Sequence, residues 1–169
     1  MTGEPIIPHP RIIGRTLFPQ QEAYTTPPHQ DFIPIQGTAD TYTAWCPLSA
    51  MPAQMGGLQI AAGSHCHGVY DFKPSLGAGG MEVAEDPGDW VGGPFAAGDV
   101  LFFHSMVVHK GIPCTGNRLR LSMDTRYQRL SEPIGAANLL PHTGESWEEI
   151  YADWASDDLK YYWKRWNLK

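Results

Sequence analysis

A chain of 169 residues, 42% hydrophobic and 18% charged, is long enough for one domain with a real core and too apolar for a disordered segment. Its net charge of −6, with no clustering of basic residues, argues against nucleic acid as a partner. No apolar run approaches the roughly 18–20 residues of a membrane span, and the N-terminus Met-Thr-Gly-Glu-Pro lacks the basic-then-apolar layout of a signal peptide.

With 18 Gly and 15 Pro, the segments between breakers are short and rich in β-branched and aromatic residues, which predicts an all-β core. Strands are expected at residues 11–18, 29–35, 41–48, 58–61, 100–105, 107–110 and 119–126, with Gly-rich connections over 73–98. From Gly144 the pattern changes. Ser146 followed by Glu149 matches a capping box, and Trp147, Ile150, Tyr151 and Trp154 recur along one helical face. A second short helix is expected near 157–166. The expectation is a single domain over 1–169, with a β-barrel or sandwich over about 8–135 and a C-terminal helical cap over about 144–167. Three cysteines, Cys46, Cys66 and Cys114, cannot all pair and lack Cys-x-x-Cys spacing, which predicts reduced thiols in a cytoplasmic protein.

His29 and Asp31 follow Pro27-Pro28, a pair that forces extended backbone. On a strand, residues two apart share a face, about 6–7 Å apart. One more histidine from a distant segment would complete a 2-His-1-carboxylate set, the ligand face of non-haem Fe(II) oxygenases. His104 and His109 are both available. Five residues apart, they would face opposite sides of one continuous strand, and spacing does not choose between them. Arg118 and Arg120 share a face of the next expected strand with Ser122. An arginine buried in a barrel poor in charge needs an anion, either Asp124 or a ligand carboxylate. His65-Cys66-His67 directly follows Gly63-Ser64 and reads as a turn rather than a second metal site.

Several of these pieces stand in a telling order. His29-Gln30-Asp31 comes first, then Ala44-Trp45 through Leu48, Gly56-Gly57-Leu58 and Ala62-Gly63-Ser64-His65. Gly98-Asp99 through His104, His109-Lys110-Gly111 and Asn117 through Ser122 follow. Over residues 8–135 the series resembles the phytanoyl-CoA dioxygenase family of Fe(II)/2-oxoglutarate-dependent oxygenases. The resemblance implies the family's double-stranded β-helix, a jelly-roll, cupin-like barrel. It implies His29, Asp31 and His109 as iron ligands and Arg120 as the anchor of the distal carboxylate of 2-oxoglutarate. Trp45 and Ser122 fall where cosubstrate neighbours are expected, and Gln30 lies between the first two ligands. The implied reaction uses Fe(II), 2-oxoglutarate and O₂ to hydroxylate a small organic substrate, with release of succinate and CO₂. A cupin-like metalloenzyme without 2-oxoglutarate is a rival, against which Arg120 and Ser122 speak. A non-catalytic binding remnant is another. Two departures stand out. Gly111 occupies a position where many members have Ser, and the family's long helical N-terminal region has no counterpart before Arg11. That second departure implies a fragment or compact variant with an open substrate pocket. A second copy of the chain is a candidate partner, through Tyr161, Tyr162, Trp163 and Trp166.

Overall fold

Dense Gly and Pro punctuation yields short strands. In chain order they are β1 (Ile6–Pro8), β2 (Ile13–Leu17), β3 (Thr41–Pro47), β4 (Leu58–Ala61), β5 (Phe72–Pro74), β6 (Met81–Val83), β7 (Trp90–Gly92), β8 (Leu101–His104), β9 (His109–Gly111) and β10 (Arg120–Arg129). Two short α-helices, α1 (Phe32–Ile35) and α2 (Trp147–Tyr151), complete the regular structure with a few 3-10 turns. The computed structural model describes residues 3–169. Met1 and Thr2, at the head of the N-terminal stretch considered above, lie outside the described residues.

The long strand β10 organises the larger sheet. On one edge it pairs antiparallel with β3, from Ser122↔Pro47 to Gln128↔Thr41. On the other it pairs first with β2 through Arg120–Asp124 and then with β1 through Tyr127–Arg129. β8 extends the sheet beyond β3, and a second sheet runs β7-β4-β9. Trp45, Met51, Leu58, Phe103 and Val107 form a buried apolar cluster drawn from both sheets. This is the all-β double-stranded β-helix expected from the sequence, closed by a C-terminal helical segment. Among the described residues no helix is long and apolar enough to cross a membrane.

The inner face of β10 is unusual. Alternation along a strand sends Arg120, Ser122, Asp124, Arg126 and Gln128 to one side, and all five are buried. Charged residues are seldom buried without partners, so a polar row inside a barrel marks an interior built to hold polar groups.

Three expectations about local structure are corrected. Residues 29–35 do not form a strand. His29 makes an isolated bridge with His109, Asp31 is already in the right-handed helical region, and α1 follows. Pro34 falls in the first turn of α1, where a missing N–H costs nothing. The 73–98 connection contains the β5-β6 hairpin and β7. The expected helix at 157–166 is a single 3-10 turn, Tyr162–Arg165, entered through Tyr161 at φ 52°. α2 does carry the predicted capping box on Ser146 and Glu149. It packs with Trp163 against Ile7, so most of the C-terminal aromatics fold back onto their own chain. Trp166 is half-exposed.

Candidate metal centre and cosubstrate cavity

Pro27-Pro28 delivers His29 in extended backbone beside β9. There His29 and His109 exchange both main-chain hydrogen bonds, each 2.9 Å. Each imidazole is then turned by its own chain. Nδ1 of His29 bonds the Pro27 carbonyl at 2.9 Å, and Nδ1 of His109 bonds the Val107 carbonyl at 3.1 Å. A proton on Nδ1 leaves Nε2 as the free lone pair, the arrangement by which an outer hydrogen bond fixes a ligand histidine.

Asp31 enters from the turn after His29. Its Oδ1 lies 3.8 Å from His29 Nε2 and 3.9 Å from His109 Nε2. These distances are too long for hydrogen bonds. Neighbouring donors around one ion with bonds of about 2.1 Å stand about 3 Å apart, so each of these contacts needs a shift of about 1 Å or less to close on a metal. The ligand atoms of His29, Asp31 and His109 all lie within 4.8 Å of one another. The donor set therefore fits a divalent metal with open positions, the 2-His-1-carboxylate case.

The carboxylate is itself held from behind. Thr43 Oγ1 donates to Oδ2 at 2.6 Å, and Arg126 donates through Nη2 to Oδ1 at 2.9 Å and through Nε to Oδ2 at 3.3 Å. Burial alone would raise the Asp31 carboxyl. The Arg126 guanidinium, with His109 and His29, outweighs it and holds the group well below the usual carboxylate range. Burial, aided by the neighbouring His109, pushes His29 down to about 3, and burial likewise lowers His109. Near neutral pH the site thus presents two neutral imidazoles and one carboxylate, the protonation states a metal requires.

A small cavity touches His29, Asp31 and His109 and is bordered also by Trp45, Leu58, Phe103, Gly111 and Arg120. Arg120 is buried and donates Nη1 to the Gly57 carbonyl at 2.9 Å. Its Nε has no hydrogen-bond partner, nor do the buried Ser122 Oγ, Trp45 Nε1 and Asp124 Oδ1. Native interiors rarely leave such groups unpaired; Asp124 Oδ1 can only accept, while Arg120 Nε, Ser122 Oγ and Trp45 Nε1, on β3 and β10, are three groups able to donate. That is the fit expected for an anionic, oxygen-rich ligand beside the metal.

Other residues fall elsewhere. Gln30 is fully buried, but its amide bonds the carbonyls of Gly68 and Met106 and the Tyr70 N–H. It ties three loops together behind the ligands. His104 is not on a common strand with His109. β8 and β9 belong to different sheets, and the His104 ring stands edge-on to Tyr42 while Nδ1 accepts from Met106 N–H. Arg118 lies before β10 and is exposed, so it shares no face with Arg120. Asp124 pairs with Arg15 at 2.5 Å rather than with Arg118 or Arg120. His65, Cys66 and His67 form an exposed 3-10 turn. At Gly111 a Cβ would meet Thr25 Cγ2 at 3.0 Å, so Thr25 fills the space a side chain would need there. Sequence reading missed Thr43, Arg126 and Arg15. Arg126 was within reach of it, lying six residues after Arg120 and hence on the same face of one strand.

Comparison with known proteins agrees with this geometry. The family model described as phytanoyl-CoA dioxygenase matches residues 8–122. Two curated relatives, the 1-deoxypentalenic acid 11-beta-hydroxylases of Streptomyces exfoliatus and Streptomyces arenae, are each 34% identical over 133 residues, covering 72% of this chain and 47% of theirs. The chain therefore spans about half the length of these relatives. Among solved structures, the epimerase SnoN in complex with Fe3+, alpha ketoglutarate and nogalamycin RO is 26% identical with a TM-score of 0.62, covering 84% of this chain and 59% of that one. EvdO2 from Micromonospora carbonacea var. aurantiaca, complexed with 2-oxoglutarate, shares the fold at 19% identity and a TM-score of 0.59, covering 75% of this chain and 54% of that one. The chain belongs to the phytanoyl-CoA dioxygenase family.

Proposed function

We propose that this chain is the catalytic barrel of an Fe(II)/2-oxoglutarate-dependent oxygenase that hydroxylates a small organic substrate. One observation carries the reading: two imidazoles, each locked through Nδ1 by a main-chain carbonyl, aim Nε2 at one oxygen of a buried carboxylate. The Streptomyces relatives are named as hydroxylases, and SnoN was crystallised with Fe3+ and alpha ketoglutarate. Both support it.

When bound, iron and 2-oxoglutarate together supply activation of O₂ for C–H hydroxylation, with succinate and CO₂ released. The chain's own residues do the rest. His29, Asp31 and His109 hold the metal, and Arg126 and Thr43 keep Asp31 ionised and fixed in orientation. Arg120 takes the distal carboxylate of 2-oxoglutarate by its guanidinium fork, with Ser122 and Trp45 offering the neighbouring hydrogen bonds. Gln30 acts as a strut behind the ligands rather than as a contact. Ile33, Phe72 and Met81 give an apolar lining to the larger cavity that shares His29 and Asp31. For self-association, Trp166 is the exposed one among Tyr161, Tyr162, Trp163 and Trp166.

Succinate formation from 2-oxoglutarate with Fe(II), ascorbate and O₂ tests the proposal. Metal binding without succinate would favour a cupin-like enzyme of another kind. No metal binding at all would favour a non-catalytic domain.

A further inference from the structure

The larger cavity encloses about 240 Å³ and opens beside His29 and Asp31. Its walls are of two kinds. Ile13, Ile33, Ile35, Phe72 and Met81 make it apolar, while Arg11, Arg15 and Arg126 bring in three guanidinium groups. Two of the three are already neutralised, Arg126 by Asp31 and Arg15 by Asp124. Arg11 is different. It donates Nη1 to the Ala137 carbonyl at 2.8 Å, and its Nη2 lies 3.0 Å from His142 Nδ1. Neither partner is an anion, and Arg11 has no carboxylate within ion-pair distance among the described residues.

A half-buried guanidinium held in place by two neutral partners, with its other N–H donors uncommitted, is an anion receptor at the wall of an apolar chamber. A ligand carboxylate entering the cavity meets the fork with two parallel hydrogen bonds. A neutral ligand would leave the charge unmatched. We propose that the substrate taken here is a compact apolar carboxylic acid, its carboxylate on Arg11 and its hydrocarbon body against Ile33, Phe72 and Met81, pointing a C–H bond toward the metal triad. That this acid is the molecule oxidised rests on the oxygenase reading above; the binding site itself does not.

Adamantane-1-carboxylate and its neutral isostere adamantane-1-carboxamide are suitable probes, titrated calorimetrically into the Zn(II)-loaded protein, in which no turnover occurs. Zn(II) and 2-oxoglutarate are titrated separately into each protein used. The acid should bind at least about tenfold more tightly than the amide, the equivalent of about 1.4 kcal/mol. Arg11→Gln should abolish that preference by weakening the acid, with amide, Zn(II) and 2-oxoglutarate affinities unchanged. Arg11→Lys, which keeps the charge but not the fork, should retain a reduced preference. Equal binding of acid and amide, no binding of either, or an acid preference that survives Arg11→Gln would overturn the proposal. So would an acid that 2-oxoglutarate displaces, since it would then sit on Arg120. Loss of Zn(II) or 2-oxoglutarate binding in a protein that still selects the acid through Arg11 would instead sink the oxygenase reading and leave this site standing.

Discussion

His29 and His109, eighty residues apart in the chain, are direct partners across two main-chain hydrogen bonds of 2.9 Å, and their ring centroids lie 4.1 Å apart. The spacing of the two nitrogen donors is therefore a property of the backbone, set before any metal arrives. Alanine at either position should lower iron affinity by more than the roughly 10–100-fold that outer partners are worth. His104→Ala should leave metal content unchanged, because that ring faces Tyr42 on the other sheet. Metal analysis per chain after dialysis checks all three. Iron retained in His109→Ala but lost in His104→Ala would reverse the assignment.

Arg126 neutralises a carboxylate that is almost wholly buried. Arg126→Leu would strand that charge, and breaking a buried pair typically costs about 3–5 kcal/mol. The loss should be largest in the metal-free protein, because a bound cation replaces the missing positive charge. Urea unfolding with and without Zn(II) measures this. A loss of equal size in both states would show that Arg126 matters only through packing.

Arg120 is expected to dominate cosubstrate affinity. Arg120→Leu should weaken 2-oxoglutarate binding by about 2–5 kcal/mol, as when one partner of a buried charge pair is truncated, and leave metal binding near normal. Arg118→Leu, at an exposed position ahead of β10, should change neither. Calorimetric titration with 2-oxoglutarate distinguishes them, and a larger loss at Arg118 would contradict the register of β10.

The core strands were legible because alternation and turn residues mark them plainly. β3, β4 and β10 lie close to where period-two patterning puts them. α1 was not legible: four residues are too few to show a helical period, and Phe32-Ile33-Pro34-Ile35 reads as an apolar extended run. The relation of His104 to His109 was hidden for a different reason. Separating them requires knowing that residues 105–108 turn the chain from one sheet to the other, which is a tertiary fact. Likewise Arg118, Arg120, Arg126 and Arg129 all lie within six residues of Asp124 in sequence, yet the pairing of β2 with β10 selects the distant Arg15.

Acid sensitivity has a source away from the metal ligands. His9 is buried against Gln128 at 2.8 Å, and burial, with some help from Arg126, pushes it down to about 4. The unfolded chain accepts a proton on this residue below about pH 6.5, whereas the folded one refuses it until about 4. Its contribution to stability is thus complete above the unfolded value and is lost as pH falls through that window. Relative to His9→Asn, the wild type should lose on the order of 3 kcal/mol between about pH 7.5 and 4. Urea unfolding of both proteins across that range provides the comparison. A gap that does not change with pH would place the titration elsewhere.

β10 carries Arg120, Ser122, Asp124 and Arg126 on one side of a single unbroken strand. The proposed cosubstrate anchor and the partner of Asp31 are thus about 20 Å apart along one rigid ruler, at about 3.4 Å per residue. Point substitutions on this strand should give graded defects, each confined to the group altered. A one-residue deletion at Met123 would act differently. It would turn every inward side chain on one flank of the gap outward, exposing either Arg120 and Ser122 or Asp124, Arg126 and Gln128. The gene should therefore tolerate many codon changes across this segment and almost no in-frame loss or gain of a single codon.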